Sequence, residues 1–136
     1  MLHRKVDLAD APRMHAAIVD DSLATRTILA NMLHECGVKV SEAADHDSAL
    51  SLLRSRQDIS VLLVDWQLTP RGGYELVHAI KSEHRFAKRR IIMVTTEAGI
   101  DEVANALEAG IDDYLTKPFS LQNVREKLDL ISMMAA

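Results

Sequence analysis

The chain has 136 residues, of which 48% are hydrophobic and 26% charged, which is typical of one globular domain and excludes a disordered or fibrous chain. Its formal net charge of −4 argues against nucleic-acid binding, which requires a basic surface. The single cysteine, Cys36, excludes an intramolecular disulfide and a cysteine-rich metal site, and no apolar stretch approaches the ~20 residues that span a bilayer.

Residues 1–13 are polar and lack any hydrophobic periodicity, so we predict a flexible N-terminal tail followed by one domain over 14–136. Within that domain, short runs rich in β-branched and other apolar residues alternate with amphipathic segments. These runs predict five strands, over 15–19, 38–44, 59–64, 91–94 and 111–116.

Each predicted strand is followed by a predicted helix. The residues that begin or end these helices are Ser22 and Gly37 for the first, Asp45 or Asp47 for the second, Gly73 for the third, Gly110 for the fourth (about 100–109) and Ser120 for the fifth. The residues predicted to face inward from the last two helices are Val103, Ala106, Leu107, Val124, Leu128 and Ile131. Five strands alternating with five helices through short connections predict an α/β fold with a doubly wound parallel sheet.

The third strand ends in an aspartate. The run 61–64 is wholly apolar and leads directly into Asp65, after which 66–73 is rich in turn-forming residues. An apolar run of this length is typical of a central strand, and open α/β sheets place their chemistry at the carboxyl ends of the strands. A single aspartate at such a position more often caps a turn, so the case depends on the other strand ends.

Polar residues follow the other strands too, and all strand ends of a parallel sheet point the same way. The residues that we expect to converge are Asp20, Asp21, Asp65, Thr95 and Lys117. Three carboxylates and one ammonium leave a charge of −2, which a divalent cation cancels. Hard oxygen ligands without histidine or cysteine select Mg²⁺ (or Mn²⁺) over Zn²⁺.

Such a cluster suits phosphoryl chemistry. An aspartate beside a metal ion is a competent nucleophile toward phosphorus and gives an acyl phosphate. Lys117 and Mg²⁺ would neutralise the phosphoryl oxygens, and the Thr95 hydroxyl could donate a hydrogen bond to one of them.

Four motifs carry a family resemblance. They are Ile18-Val19-Asp20-Asp21-Ser22, Leu63-Val64-Asp65-Trp66 with Gly73 eight positions after the aspartate, Met93-Val94-Thr95-Thr96-Glu97-Ala98, and Gly110 to Phe119 with Lys117-Pro118 inside it. Together they make the chain resemble a response-regulator receiver domain of the CheY-like kind, from about Ala16 to Ile131. The resemblance implies a flavodoxin/CheY-like (βα)5 fold with strand order 2-1-3-4-5.

The resemblance also implies a role for each site residue. By this likeness Asp65 accepts a phosphoryl group from a histidine kinase, and the phosphoryl oxygens are bound by Thr95 and Lys117. The resemblance implies that Mg²⁺ is held by Asp20, Asp21, Asp65 and the backbone carbonyl of Gln67. It also implies that Thr95 and Tyr114 form the conformational switch and that Gln67 and Glu97 tune dephosphorylation. It further implies a cis peptide bond between Lys117 and Pro118. The chain departs from the usual pattern in the loop after Asp65, where Thr69 occupies the usual proline position, Pro70 follows it, and Gly72 precedes Gly73.

These roles imply a stand-alone cytoplasmic response regulator, with no partner among nucleic acids or membranes and no enzymatic activity beyond its own phosphoryl transfer and autodephosphorylation. We expect phosphorylation to alter the face made by helix 4, strand 5 and helix 5. The expected face residues are Ala98, Val103, Asn105, Tyr114, Val124 and Lys127. We expect no output domain in this chain, so the expected target is a separate protein such as a flagellar motor switch protein.

Two other functions remain open. A phosphorelay shuttle would pass the phosphoryl group to a histidine phosphotransfer domain. An aspartate-nucleophile phosphohydrolase is the rival from another class, but it needs a second aspartate as general acid where this chain has Gln67. A flavodoxin-like FMN site is disfavoured because Asp20 and Asp21 would repel the phosphate.

Overall fold

The computed structural model describes residues 14–134, so the predicted N-terminal tail and residues 135–136 lie outside the described residues. Five parallel strands form one sheet in the order β2-β1-β3-β4-β5, as predicted. The strands are β1 His15–Val19, β2 Lys39–Ala43, β3 Val61–Asp65, β4 Arg90–Thr95 and β5 Asp113–Thr116. The helices are α1 Leu23–Glu35, α2 His46–Ser55, α3 Gly73–Ser82, α4 Ile100–Ala109 and α5 Leu121–Met134.

The inner strands are buried on both faces, because successive residues point to opposite sides of the sheet and helices cover each side. One face packs against α2, α3 and α4 through Leu53, Leu76 and Ala106, and the other packs against α1 and α5 through Leu33 and Leu128. Every residue of β1 and β3 is buried, so these two strands form the centre of the domain. Among the described helices, none combines the length and the hydropathy of a membrane-spanning segment.

The structure shows which of the two candidate aspartates caps α2. Asp45, not Asp47, caps α2, since its carboxylate accepts a hydrogen bond from the Ser48 N–H and the Ser48 hydroxyl contacts the Asp45 N–H in return. Ser22 and Ser120 cap α1 and α5 as predicted, each accepting a hydrogen bond from an amide three residues on.

Two expectations are corrected. Leu107 was expected to face inward but is 52% exposed, because Ala106 takes the buried position and the next residue lies about 100° further around the helix. Val124 belongs to the core at 1% exposure rather than to an outer face. The basic segment between α3 and β4 is anchored by the buried Phe86 and by Lys81, whose Nζ donates to the carbonyls of Ala87 and Arg89.

The amino end of the sheet holds a buried histidine. The His15 ring is 1% exposed, with Nδ1 lying 2.8 Å from Oδ2 of Asp58 and Nε2 lying 2.7 Å from Oγ of Ser41. These contacts join β1 to β2 and to the segment before β3. They lie at the edge opposite to the ends that carry Asp20 and Asp65.

Candidate functional site

Three carboxylates meet at the carboxyl ends of the two central strands. Val19 of β1 pairs with Val64 of β3, so the next residues, Asp20 and Asp65, come side by side. Together with Asp21 they offer one oxygen each, all within 4.8 Å of one another. Asp20 and Asp65 are buried whereas Asp21 is exposed, so the cluster is a notch that opens to solvent on one side.

Lys117 brings a positive charge into the notch. Its Nζ lies 3.2 Å from Oδ2 of Asp20 and 3.4 Å from Oδ1 of Asp65, so one ammonium contacts both buried carboxylates. Its backbone N–H donates to the Thr95 carbonyl (2.8 Å), which fixes the chain just beyond β5, and the peptide bond to Pro118 is cis. One lysine cannot neutralise three carboxylates, and the local charge therefore stays negative.

The electrostatics of Asp65 reflect that excess. Burial is the largest effect on its pKa and raises it, and the nearby charge of Asp20 raises it further. The backbone N–H of Gln67 and the Lys117 ammonium act in the opposite direction, but the pKa remains above its ordinary value of 3.8. Because three hard oxygen donors face one another with uncompensated negative charge, this donor set fits Mg²⁺.

Hydrogen bonds from neighbouring elements orient the acidic pair. The Ser22 N–H donates to Oδ1 of Asp20 (2.8 Å), and Arg26 of α1 donates to the Asp20 carbonyl (2.7 Å). The hydroxyl of Thr69 donates to Oδ2 of Asp21 at 2.9 Å. Sequence reasoning missed Arg26 and the Thr69 contact; the only signal for the latter was a hydroxyl-bearing residue in the usual place of a proline.

Gln67 and Thr95 are joined directly. The side-chain Nε2 of Gln67 donates to Oγ1 of Thr95 at 2.8 Å, and the backbone N–H of Gln67 donates to Oδ1 of Asp65 at 3.1 Å. Thr95 itself is fully buried at the end of β4. Its hydroxyl also contacts the backbone of Glu97, accepting from the N–H (3.0 Å) and donating to the carbonyl (3.2 Å). The role of the Gln67 carbonyl as a metal ligand stays a prediction.

Comparison with known proteins decides the family. The sequence-family model of the response regulator receiver domain matches residues 16–129, which is most of the chain. This chain belongs to the response-regulator receiver family. It is 40% identical over 117 residues to a CheY homologue of Campylobacter jejuni, covering 85% of this chain and 90% of that protein.

Solved structures agree with this assignment. The chemotaxis protein CheY4 of Vibrio cholerae superposes with a TM-score of 0.83 at 25% identity, covering 88% of this chain and 99% of the other. The receiver domain of a sensor histidine kinase from Pseudomonas aeruginosa, whose structure has a magnesium ion coordinated in the active-site cleft, gives 0.79 at 26% identity and covers 89% and 99%.

Tyr114 lies on β5, next to the end of β4 that carries Thr95. Thr95 pairs with Thr116, and Tyr114 precedes Thr116 by two residues, which places it on the same face of β5. Tyr114 is partly buried against the core cluster under α4. The Nζ of Lys127 lies 5.0 Å from the centre of the Tyr114 ring and 2.9 Å from Oδ1 of Asp113. The part of Tyr114 in switching stays a prediction.

The loop after Asp65 folds tightly over the receiver site. A Cβ built on Gly73 would lie 2.6 Å from Cε3 of Trp66 and 3.0 Å from the Asp65 carbonyl oxygen, whereas one on Gly72 would approach nothing closer than 3.7 Å. Gly73 is therefore required by close packing, whereas the backbone leaves space for a side chain at Gly72. The Thr69–Pro70 bond is also cis.

Proposed function

We propose that this receiver domain accepts a phosphoryl group on Asp65 from the phosphohistidine of a histidine kinase, in a Mg²⁺-dependent reaction that controls the binding of another protein. The observation that carries the proposal is the position of the Lys117 ammonium, within 3.4 Å of Asp65 and in contact with Asp20 as well. A cation in that position counters the charge on a phosphoryl group as it reaches the carboxylate.

The transfer is an in-line displacement. A carboxylate oxygen of Asp65 forms the new bond to phosphorus while the phosphorus–nitrogen bond to the donor histidine breaks, and the imidazole leaves. Lys117 balances charge on the transferred group, and Thr95 supplies a hydroxyl to it. Asp20, Asp21 and Asp65, with the Gln67 carbonyl, would hold Mg²⁺, which when bound supplies the remaining charge neutralisation.

The raised pKa of Asp65 supports a need for that cation. Burial and the Asp20 charge disfavour the ionised carboxylate, yet only the ionised form can attack phosphorus. A bound divalent cation would offset both effects. The magnesium ion in the related receiver domain from P. aeruginosa supports the same assignment here.

Phosphorylation would then act as a switch. We propose that Thr95 and Tyr114 relay the change to a face made by α4, β5 and α5, where Val103, Asn105 and Lys127 are at least partly exposed. The chemotaxis function named for the Campylobacter relative supports a target protein of the flagellar motor type. We place the chain in the cytoplasm, where it would meet both the kinase and the target. In this scheme the chain catalyses only its own phosphorylation and dephosphorylation.

Labelling with acetyl phosphate tests the proposal. The parent protein should gain one phosphoryl group by mass spectrometry when Mg²⁺ is present and none when EDTA is added. Asp65→Asn should gain none under either condition, whereas Asp129→Asn, on the exposed side of α5, should label like the parent. Labelling of Asp65→Asn would overturn the assignment of the nucleophile.

A second experiment separates the switch from a relay. The parent and Asp65→Asn are used as baits with and without beryllofluoride, and a target should bind only the beryllofluoride form of the parent. Phosphorylated protein is then mixed with a histidine phosphotransfer domain. Rapid loss of the label to that domain would replace the switch with the shuttle, while retention supports the switch.

A further inference from the structure

The Thr95 hydroxyl has no hydrogen-bonding capacity to spare. A hydroxyl carries one proton and two lone pairs. The proton is directed at the Glu97 carbonyl, and the lone pairs accept from the Glu97 N–H and from Nε2 of Gln67. At 2.8 Å the bond from Gln67 is the shortest of the three, and Thr95 is fully buried, so water does not compete for it.

This arrangement conflicts with the role of Thr95 after phosphorylation. To donate to a phosphoryl oxygen on Asp65, the hydroxyl must turn its proton away from the Glu97 carbonyl. The bond to the Glu97 carbonyl must therefore break before Thr95 can bind the phosphoryl group. A rotation of the Thr95 side chain toward Asp65 would also move Oγ1 away from the N–H donors of Glu97 and Gln67.

Gln67 contacts both Asp65 and Thr95. Its backbone N–H donates to the Asp65 carboxylate, while its side chain reaches Thr95, which lies 28 residues further along the chain. A new group on Asp65 therefore changes the surroundings of the same residue that holds Thr95 in place. The Glu97 contacts, in contrast, are local backbone contacts two residues from Thr95.

We propose that the side-chain amide of Gln67 is a latch that holds Thr95 in its resting position and so opposes the phosphorylated conformation. The inference rests on the proposed function and goes beyond it. It assigns to Gln67 an action through Thr95, rather than an action on the water molecule that hydrolyses the acyl phosphate. Gln67 is thus a positioning residue. Loss of its hydrogen bond should favour the switched state by about threefold to tenfold, the equivalent of one typical hydrogen bond.

The test compares Gln67→Met, which keeps the length of the side chain but removes its N–H donor, with Gln122→Met on α5. Gln122 donates to Glu126 on an exposed helix surface, so its replacement removes a glutamine side-chain hydrogen bond that involves neither Asp65 nor Thr95. Beryllofluoride affinity at saturating Mg²⁺ is measured from Trp66 fluorescence. Gln67→Met should bind beryllofluoride about threefold to tenfold more tightly than the parent, and Gln122→Met should match the parent.

Two further measurements exclude a purely structural effect. Without any phosphoryl analogue, amide exchange at Glu97 should be faster in Gln67→Met, because the hydroxyl that accepts from this amide is less firmly held. In a Thr95→Val background the substitution at Gln67 should no longer change beryllofluoride affinity, since the group it acts on is gone.

The outcomes distinguish the two proposals. If Asp65→Asn still labels, the proposed function fails whatever Gln67 does. If the parent labels on Asp65 but Gln67→Met binds beryllofluoride as the parent does, or more weakly, the latch is wrong. A change in phosphoryl lifetime with unchanged affinity and unchanged Glu97 exchange would likewise overturn the latch in favour of a direct effect on water.

Discussion

The hydroxyl of Thr69 donates a hydrogen bond of 2.9 Å to Oδ2 of Asp21, although the two residues are 48 positions apart in the sequence. Asp21 is the exposed member of the acidic cluster, and without this contact its carboxylate would be free to rotate into solvent. Groups that orient a metal ligand contribute to metal affinity even though they do not touch the ion.

We therefore expect Thr69→Val to weaken Mg²⁺ binding by about threefold to tenfold, because the Asp21 carboxylate loses its orienting donor. Titration with Mg²⁺ followed by Trp66 fluorescence provides the measurement. Thr69→Ser should retain the parent affinity, as it keeps the hydroxyl. The control is Thr27→Val, which removes the hydroxyl that donates to the Leu23 carbonyl on α1. Equal affinities of Thr69→Val and the parent would show that Thr69 does not orient Asp21.

A second prediction concerns the pH dependence of stability in the absence of divalent cations. The pKa of Asp65 is raised in the folded protein, first by burial and then by Asp20, so the folded state holds a proton that the unfolded state has lost. The free energy of unfolding must then decrease as the pH rises from the ordinary value of 3.8 through the raised folded pKa.

Asp65→Asn abolishes that proton uptake. In EDTA, the variant should be more stable than the parent at neutral pH, and the difference should disappear at pH values below 3.8, where the carboxyl is protonated in both states. Urea unfolding of both proteins across this pH range measures the difference, with Asp129→Asn as the control. Saturating Mg²⁺ should reverse the order at neutral pH, because the parent alone gains its full binding free energy. A difference in unfolding free energy between Asp65→Asn and the parent that does not vary with pH would contradict the raised pKa of Asp65.

The meeting of Asp20, Asp65 and Lys117 was predictable because backbone pairing determines where parallel strands end. Once the strand order is known, a residue that follows a strand has little freedom in its position. Side-chain contacts made by the loops do not follow from this rule. The bond from Thr69 to Asp21 and the bond from Gln67 to Thr95 depend on the loop path and on rotamers, which a pattern of residue types does not encode.

The same limit explains the buried histidine. Histidine in a strand next to apolar residues gives no sign of its partners, and those of His15 are Ser41 and Asp58, distant in the sequence. Sequence alone likewise does not separate the buried His15 and His46 from the exposed histidines. The expectation that Leu107 faces inward was wrong for a different reason. An apolar stripe on a helix does not reveal which of its edges meets the sheet.

His15 leads to a third prediction. We expect His15→Leu to lower the free energy of unfolding by about 1–3 kcal/mol, because it removes both ring nitrogens and leaves the Ser41 hydroxyl without its partner. The pKa of Asp58 is lowered, chiefly by the hydrogen bond from His15, so the contribution of Asp58 is complete above 3.8 and is lost as the pH falls through its lowered folded pKa.

The pH dependence checks the assignment of that contact. Asp58→Asn should destabilise the protein at neutral pH, and the difference from the parent should shrink as the pH falls below 3.8. In the His15→Leu background the effect of Asp58→Asn should be smaller, since the main cause of the lowered pKa is absent. Additive effects of the two substitutions in urea unfolding would show that His15 and Asp58 do not interact.

The fourth prediction compares two adjacent glycines. A Cβ at Gly73 would lie 2.6 Å from Cε3 of Trp66, 2.9 Å from its Cα and 3.0 Å from the Asp65 carbonyl oxygen. Two of these atoms belong to the backbone and cannot move independently of the loop. Gly73→Ala should therefore cost about 1–3 kcal/mol in unfolding free energy and shift Trp66 fluorescence. Because the displaced backbone includes Asp65, Mg²⁺ affinity should fall as well.

Gly72→Ala provides the matched control. Its added Cβ would approach only the Trp66 carbonyl oxygen, at 3.7 Å, and the backbone φ of −70° suits any residue. The substitution reduces the conformational freedom of the unfolded chain, so it should be neutral or stabilising by up to about 1 kcal/mol, with unchanged Trp66 fluorescence and Mg²⁺ affinity. If both variants behaved alike, close packing at Gly73 would not be what keeps the loop against Asp65.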